Sequence, residues 1–216
     1  MKEKRKIKHV CFDLDGTLMD SYNTIYKSTI KALEFLEITE PLQGKEFQKR
    51  IGQHFFSIFN ELKIPVPDIE HFINVYKSYY FDFIDESIIY PGVIETLEIL
   101  KTKKIQVSLL TTKVQDQADK IMDHFRLKKY FSMIMGRRDG ISIKPSAEPL
   151  LFICKDLNMQ ASNTLMAGDS ELDIRCGKNA GAFTCAAAYG YRLPEVLTAE
   201  KPDFIISDIK ELVNII

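Results

Sequence analysis

Two aspartates stand two residues apart in Asp13-Leu14-Asp15-Gly16-Thr17-Leu18, directly after an apolar run. A second acidic group lies far downstream in Gly168-Asp169-Ser170-Glu171-Leu172-Asp173, and between the two come Thr111-Thr112-Lys113 and Lys144-Pro145. Each piece also has a plain structural use. Asp-Gly-Thr after a strand makes a turn. Ser170 and Asp173 suit the first turn of a helix. A single lysine is most often solvated. Taken together, carboxylates for a hard cation, hydroxyls and an ammonium group form the set that phosphoryl transfer asks for, since that reaction needs positioning and charge neutralisation above all. In that chemistry Asp13 is a carboxylate nucleophile. Asp15 is the acid/base that protonates the leaving oxygen and later activates water. Mg²⁺ takes few carboxylates and keeps several waters, so Asp13, Asp169 and a backbone carbonyl suffice to hold it. Lys144 would balance the carboxylates and a phosphoryl group, and Thr111 or Thr112 would donate a hydroxyl to a phosphate oxygen.

Such residues work only if the fold gathers them. Short apolar, β-branched runs at 7–13, 105–110, 132–135, 164–167, 182–186 and 203–206 predict strands. Helix-period segments at 93–103, 114–127, 147–157, 171–180 and from 208 onward alternate with them. Strands that are apolar almost throughout, each followed by a helix, predict a doubly wound α/β fold, a parallel, Rossmann-like sheet covered on both faces. Ligands of such sheets bind outside the carboxyl ends of the strands, where all of the residues above are expected to meet.

The alternation breaks once, over about 90 residues between the first two strands, far more than one crossover helix needs. Helical spacing recurs there at Ile25, Thr29, Leu33 and Leu36, at Phe47, Ile51, Phe55, Ile58 and Leu62, and at Ile69, Phe72, Tyr76, Tyr80 and Phe83. Thirteen of the 23 aromatics fall in residues 17–88, enough for a small helical core of their own. Residues 20–88 are therefore read as a helical cap domain inserted in an α/β core of residues 1–19 and 89–216. Two connecting segments join them and could hinge, and the aromatics serve as packing. Tyr90-Pro91-Gly92 marks the return to the core.

Composition narrows the function classes. The 216 residues carry 29 basic and 30 acidic side chains, a net charge of −1 that gives no reason to expect nucleic acid or an anionic membrane as partner. No apolar run is long enough for a membrane span, and the basic start at 1–8 is expected to be solvated rather than part of a leader. Four cysteines without a C-x-x-C pair read as buried thiols of a cytoplasmic protein, and four histidines lack metal-ligand spacing. The absence of a P-loop and of G-x-G-x-x-G sets aside a nucleotide-cofactor enzyme.

In order along the chain, the Asp13–Leu18 motif, Thr111, Lys144-Pro145 and Gly168-Asp169-Ser170 with Asp173 resemble the four motifs of the haloacid dehalogenase superfamily. The likeness is greatest to its phosphoglycolate phosphatase-like members, whose third motif reads Lys-Pro-x-Pro-x-Pro-Leu where this chain has Lys144-Pro145-Ser146-Ala147-Glu148-Pro149-Leu150. The resemblance implies an aspartyl-phosphate on Asp13 with Asp15 as acid/base, and Mg²⁺ held by Asp13, the Asp15 carbonyl and Asp169 with Asp173 nearby. Thr111, Thr112 and Lys144 would bind phosphate. The substrate would be a small phosphorylated metabolite, and the protein a monomer or homodimer. Thr112 replaces the usual Asn. Arg137-Arg138 stand where small or acidic residues are expected, and are read as a solvated pair that could otherwise contact an anionic substrate. Three other readings compete with a phosphatase. A dehalogenase is disfavoured by Asp15, a sugar phosphomutase would keep all four motifs, and a non-catalytic binding protein would not need the full set.

Overall fold

The computed structural model describes residues 6–216. Of the basic start, residues 1–5 lie outside the described residues, while Lys6 and Lys8 are exposed. Six parallel strands form the central sheet: β1 (His9–Phe12), β4 (Gln106–Val114), β5 (Met133–Arg137), β6 (Thr164–Gly168), β7 (Phe183–Ala187) and β8 (Phe204–Ile206), in the order β5-β4-β1-β6-β7-β8. β1 is central because all four of its residues are buried and both of its edges find partners. The chain moves outward on one side through β4 and β5, then returns to the other side of β1 with β6. The switch point of the sheet thus falls at the carboxyl end of β1, where a crevice opens for a ligand.

Helices α5 (Val93–Thr102), α6 (Gln115–His124), α7 (Glu148–Asp156) and α8 (Glu171–Ala180) cover the sheet close to the expected bounds. Three expectations need correction. The second strand does not stop at residue 110 but runs to Val114, with an irregular register against β5 between Leu110 and Val114. A short helix, α9 (Pro194–Ala199), follows β7 unannounced, because one turn of helix has too few apolar positions to show a period. The final helix from 208 is a 3₁₀ segment, Ile209–Asn214, capped by the Asp208 carboxylate, which accepts from Lys210 N–H at 2.9 Å.

Between β1 and β4 lie α1 (Tyr22–Phe35), α2 (Gly44–Gln48), α3 (Phe55–Leu62), α4 (Ile69–Tyr80) and a 3₁₀ segment, Phe81–Glu86. The stretch Phe47 to Leu62, read as one helical period, is two helices broken at Gly52, whose φ of +97° favours glycine. Ring pairs join α3 to α4: Phe55 to Phe72 at 5.0 Å and Phe59 to Phe72 at 4.7 Å between centroids, edge to face. The two segments that link these helices to the sheet pair with each other as a small antiparallel ribbon of β2 (Met19–Asp20) and β3 (Ile88–Ile89). Among the described residues no helix is long and apolar enough to cross a membrane.

Candidate active site

β1 ends at Phe12, but Asp13 N–H still donates to Ala167 O at 2.9 Å, so the ladder holds the first aspartate in place. Leu14 then turns into the core while Asp13 and Asp15, two residues apart, share the crevice side. Gly16 closes the turn with φ +85°, and a Cβ there would sit 2.3 Å from Asp169 Oδ2. Only glycine lets the β1 loop approach that carboxylate.

Lys144, delivered by the segment between β5 and α7, is buried at the centre. Its Nζ lies 2.6 Å from Asp13 Oδ1, 2.6 Å from Asp173 Oδ1 and 3.1 Å from Leu110 O. Asp173 serves two ends at once: its Oδ2 accepts from Ser170 N–H at 3.1 Å and from Ser170 Oγ at 2.6 Å, capping α8, while Oδ1 meets the ammonium. Asp173 thus caps α8 and also stands in the cluster around Lys144. Asp169, at the end of β6, accepts from Tyr191 N–H at 2.7 Å and has no cationic side chain within ion-pair distance among the described residues.

Burial, reinforced by Asp173 and Asp15 and opposed by Lys144, pushes Asp13 up to about 7. Asp169 is raised well above the carboxylate range, first by burial and then by Asp13 and Asp173. Lys144 goes the other way: burial works against its charge, but the two aspartates outweigh it and raise its pKa.

One oxygen from each of Asp13, Asp169 and Asp173 lies within 4.8 Å of the others. Counting Asp15, four buried carboxyl groups face the two ammonium groups of Lys144 and Lys113, an acidic excess that the raised pKa values of Asp13 and Asp169 reflect and a cation would relieve. An all-oxygen donor set with that excess fits a hard divalent cation. The Asp15 side chain stands apart from the cluster. It accepts from Ser21 Oγ and lies 3.0 Å from Lys113 Nζ. Lys113 also sits 4.9 Å above the Tyr80 ring. Thr111 and Lys144 line one small cavity of about 10 Å³, whereas Thr112 joins Asp15 and Lys113 in a larger cleft of about 70 Å³, whose other wall is formed by the inserted helices.

A family model described as haloacid dehalogenase-like hydrolase matches residues 10–187, which takes in the four aspartates, Thr111, Thr112, Lys113 and Lys144. The chain belongs to the haloacid dehalogenase-like hydrolases. This hydrolase is 30% identical over 211 residues to pyrophosphatase PpaX of Oceanobacillus iheyensis, with 97% of each chain covered. It is equally 30% identical, over 210 residues and 95% of each chain, to a phosphoglycolate phosphatase of Aquifex aeolicus. The crystal structure of a predicted phosphoglycolate phosphatase from Haemophilus somnus matches it with a TM-score of 0.86, 25% identity and 97% of each chain. In sequence and fold the hydrolase is phosphoglycolate phosphatase-like.

Sequence reasoning passed over several residues of the site. Lys113 was noted only as part of a tripeptide, yet its side chain is buried against Asp15. The segment Ala188-Tyr189-Gly190-Tyr191-Arg192 carried no signal at all. Here Tyr191 holds Asp169 through its N–H, while its hydroxyl accepts from Ser21 N–H at 2.8 Å and donates to Asp20 at 3.1 Å. Gly190 packs so tightly that a Cβ would meet Asp169 Cβ at 2.3 Å. Arg137 and Arg138 are not a free solvated pair. Arg138 Nε donates to Gln115 Oε1 at 3.0 Å, and Arg137 reaches His54 and Glu70 in the inserted helices.

Proposed function

We propose that this hydrolase is a Mg²⁺-dependent phosphatase that cleaves a small phosphate monoester through an aspartyl-phosphate on Asp13. The observation that carries the reading is the division of labour between the two strand-end carboxylates. Asp13 is locked at 2.6 Å on Lys144 beside Asp169, while Asp15 hangs on Ser21 and Lys113 at the edge of the cleft. Environments that differ this way set apart a nucleophile and an acid/base.

In the first step an Asp13 oxygen attacks phosphorus, the bond to the leaving oxygen breaks, and that oxygen takes a proton from the Asp15 carboxyl. In the second, water gives its proton to Asp15 and attacks phosphorus. The bond to Asp13 breaks and inorganic phosphate leaves. Lys144 offsets the charge gathered on Asp13 and the phosphoryl oxygens, and the Thr111 hydroxyl donates to one of them. Asp13, Asp169 and the Asp15 carbonyl would hold Mg²⁺, with Asp173 nearby. When bound, the ion supplies charge neutralisation for the phosphoryl group. The helices of residues 20–88, as a cap domain, would cover the reacting atoms from water. The work is that of a cytoplasmic enzyme on a small phosphorylated metabolite.

The test is phosphate release from a panel of small esters with Mg²⁺, with EDTA, and with Asp13→Asn. Metal-dependent turnover that disappears in the variant supports the scheme. Retained turnover in Asp13→Asn removes Asp13 as nucleophile, and an isomerised sugar phosphate in place of phosphate makes the enzyme a mutase. The equal likeness to a pyrophosphatase puts pyrophosphate in the same panel.

A further inference from the structure

Arg137 closes β5, and its side chain leaves the sheet for the inserted helices. Its Nη1 lies 2.5 Å from His54 Nε2, and its two terminal nitrogens lie 3.3 and 3.2 Å from the Glu70 carboxylate. His54 is half-buried at the start of α3, and its Nδ1 faces Phe56 N–H at 3.3 Å. A neutral imidazole offers one lone pair and one N–H. It cannot accept from Phe56 and from the guanidinium together, so at one of the two contacts a donor meets a donor. A protonated ring would be worse, and burial and the charge of Arg137 both lower the pKa of His54.

The same cleft holds another unmet donor. Gln117 is 3% exposed, and its Nε2 has no hydrogen-bond partner among the described residues; in the same lining Gln53 Oε1 is an unpaired acceptor. Arg137, His54 and Gln117 share this cleft with Asp15, Thr112 and Lys113, and much of the remaining wall is apolar. Against the one unpaired acceptor, Gln53 Oε1, stand the Gln117 amide, the His54 ring and a guanidinium whose acidic partner is on the rim. That balance calls for an acceptor-rich, anionic visitor. Glu70 is the acceptor that Arg137 now has, but its side chain is 62% exposed. A rim pair of that kind is weak, so an anion entering the cleft can displace it.

We infer that Arg137, together with His54 and Gln117, binds a second anionic group on the leaving portion of the substrate, a carboxylate or a phosphate, with Glu70 holding the guanidinium until the ligand arrives. The inference rests on the phosphatase reading and assigns residues of this chain to one task within it, discrimination in favour of esters or anhydrides whose leaving group is itself charged. The planar fork of an arginine suits both carboxylate and phosphate.

The experiment compares wild type, Arg137→Ala and Arg137→Lys on three substrates with Mg²⁺: phenyl phosphate, whose leaving group has no second charge; phosphoglycolate, which adds a carboxylate; and pyrophosphate, which adds a phosphate. Arg137→Ala should lower kcat/KM for at least one charged substrate at least about tenfold more than for phenyl phosphate, mainly through KM, as for a contact made equally in ground and transition state. Arg137→Lys should recover part of the loss. The substrate that suffers names the anion. An equal loss on all three would make Arg137 a strut between sheet and helices and overturn the inference. No turnover of any substrate by the wild type would instead refute the phosphatase reading. Calorimetric titration of phosphoglycolate, pyrophosphate and phenyl phosphate into Asp13→Asn and Asp13→Asn/Arg137→Ala reads the recognition without turnover. It overturns the inference if the second substitution leaves the charged ligands' affinities unchanged.

Discussion

Replacing Lys144 with methionine keeps much of the side chain's volume and deletes its charge. In the wild type that ammonium touches Asp13 and Asp173 at 2.6 Å each, with both carboxylates and the lysine buried. Without it, Asp13, Asp169 and Asp173 crowd within 4.8 Å with no counter-charge between them. Removing one partner of a buried ion pair costs about 3–5 kcal/mol, because the other charge is left stranded. For a chain of this length that is roughly 6–20 °C in Tm. The cost depends on pH in a definite direction. The folded-state pKa values of Asp13 and Asp169 lie above their unfolded values, so the folded state holds the extra protons, and stability falls as pH rises through the folded values. The deficit of Lys144→Met relative to wild type should therefore be near its full size at about pH 8 and smaller at about pH 5.5. Mg²⁺ should raise the Tm of the variant more than that of the wild type, since the cation restores charge balance to a richer cluster. Turnover should fall at least about tenfold, which corresponds to about 1.4 kcal/mol of transition-state stabilisation. Urea or thermal unfolding at the two pH values, with EDTA and with Mg²⁺, reads all but the last. A deficit under about 1 kcal/mol that ignores pH and Mg²⁺ would mean the three carboxylates do not depend on Lys144, and the electrostatic account of the site would fall with it.

Asp13→Asn should abolish turnover and leave the far-UV circular dichroism spectrum unchanged, because the amide keeps the shape and loses the charge. Gly16→Ala forces a Cβ 2.3 Å from Asp169 Oδ2. It should weaken Mg²⁺ binding, followed by calorimetry, by at least roughly tenfold. Tyr191→Phe strands the buried Ser21 N–H that its hydroxyl accepts from. A loss of about 1–3 kcal/mol in urea unfolding is expected, and a neutral result would mean another acceptor reaches Ser21. His9 is held neutral by burial, its pKa lowered to about 4, between Ser108 Oγ at 2.8 Å and Thr164 Oγ1 at 3.1 Å. Between about pH 6.5 and about pH 4 the unfolded chain binds a proton that the folded chain refuses, so this residue's contribution to stability falls with falling pH. The stability advantage of wild type over His9→Asn should shrink by roughly 3 kcal/mol across that window, and a constant difference would show that His9 does not titrate there.

The sheet and the four motifs were legible because they obey short-range rules. Apolar runs such as that of β6 have one economical use, and Asp, Thr, Lys and Asp at successive strand ends point to one rim. The long second strand was not legible, since Thr111, Thr112 and Lys113 look like a polar exit. They stay extended because β5 continues beside them as far as Arg137. The two linking segments around Met19 and Ile88 looked like simple connections. Their pairing joins residues about 70 positions apart, which no local pattern reports. Tyr191 and Gly190 escaped for a related reason. They reach the site across the sheet from the loop after β7, and their value lies in a backbone N–H and a missing Cβ. Arg137 looked solvated because Glu70 and His54 belong to a different part of the chain.

The central strand has a consequence for how the chain is made. His9 in β1 contacts Ser108, 99 residues later, and Thr164, 155 residues later. As the chain emerges from the ribosome, the innermost apolar strand therefore waits longest for its second neighbour, while the intervening helices can collapse on their own aromatic contacts. A nascent or prematurely terminated chain that stops before β6 would present Val10, Cys11 and Phe12 along an open, flat edge, the kind of surface on which chains associate. Non-local closure of this sort is also slow. The docking of β6 that ends this exposure also brings Asp169 to Asp13, so an incomplete chain is an aggregation hazard without being a partly active enzyme.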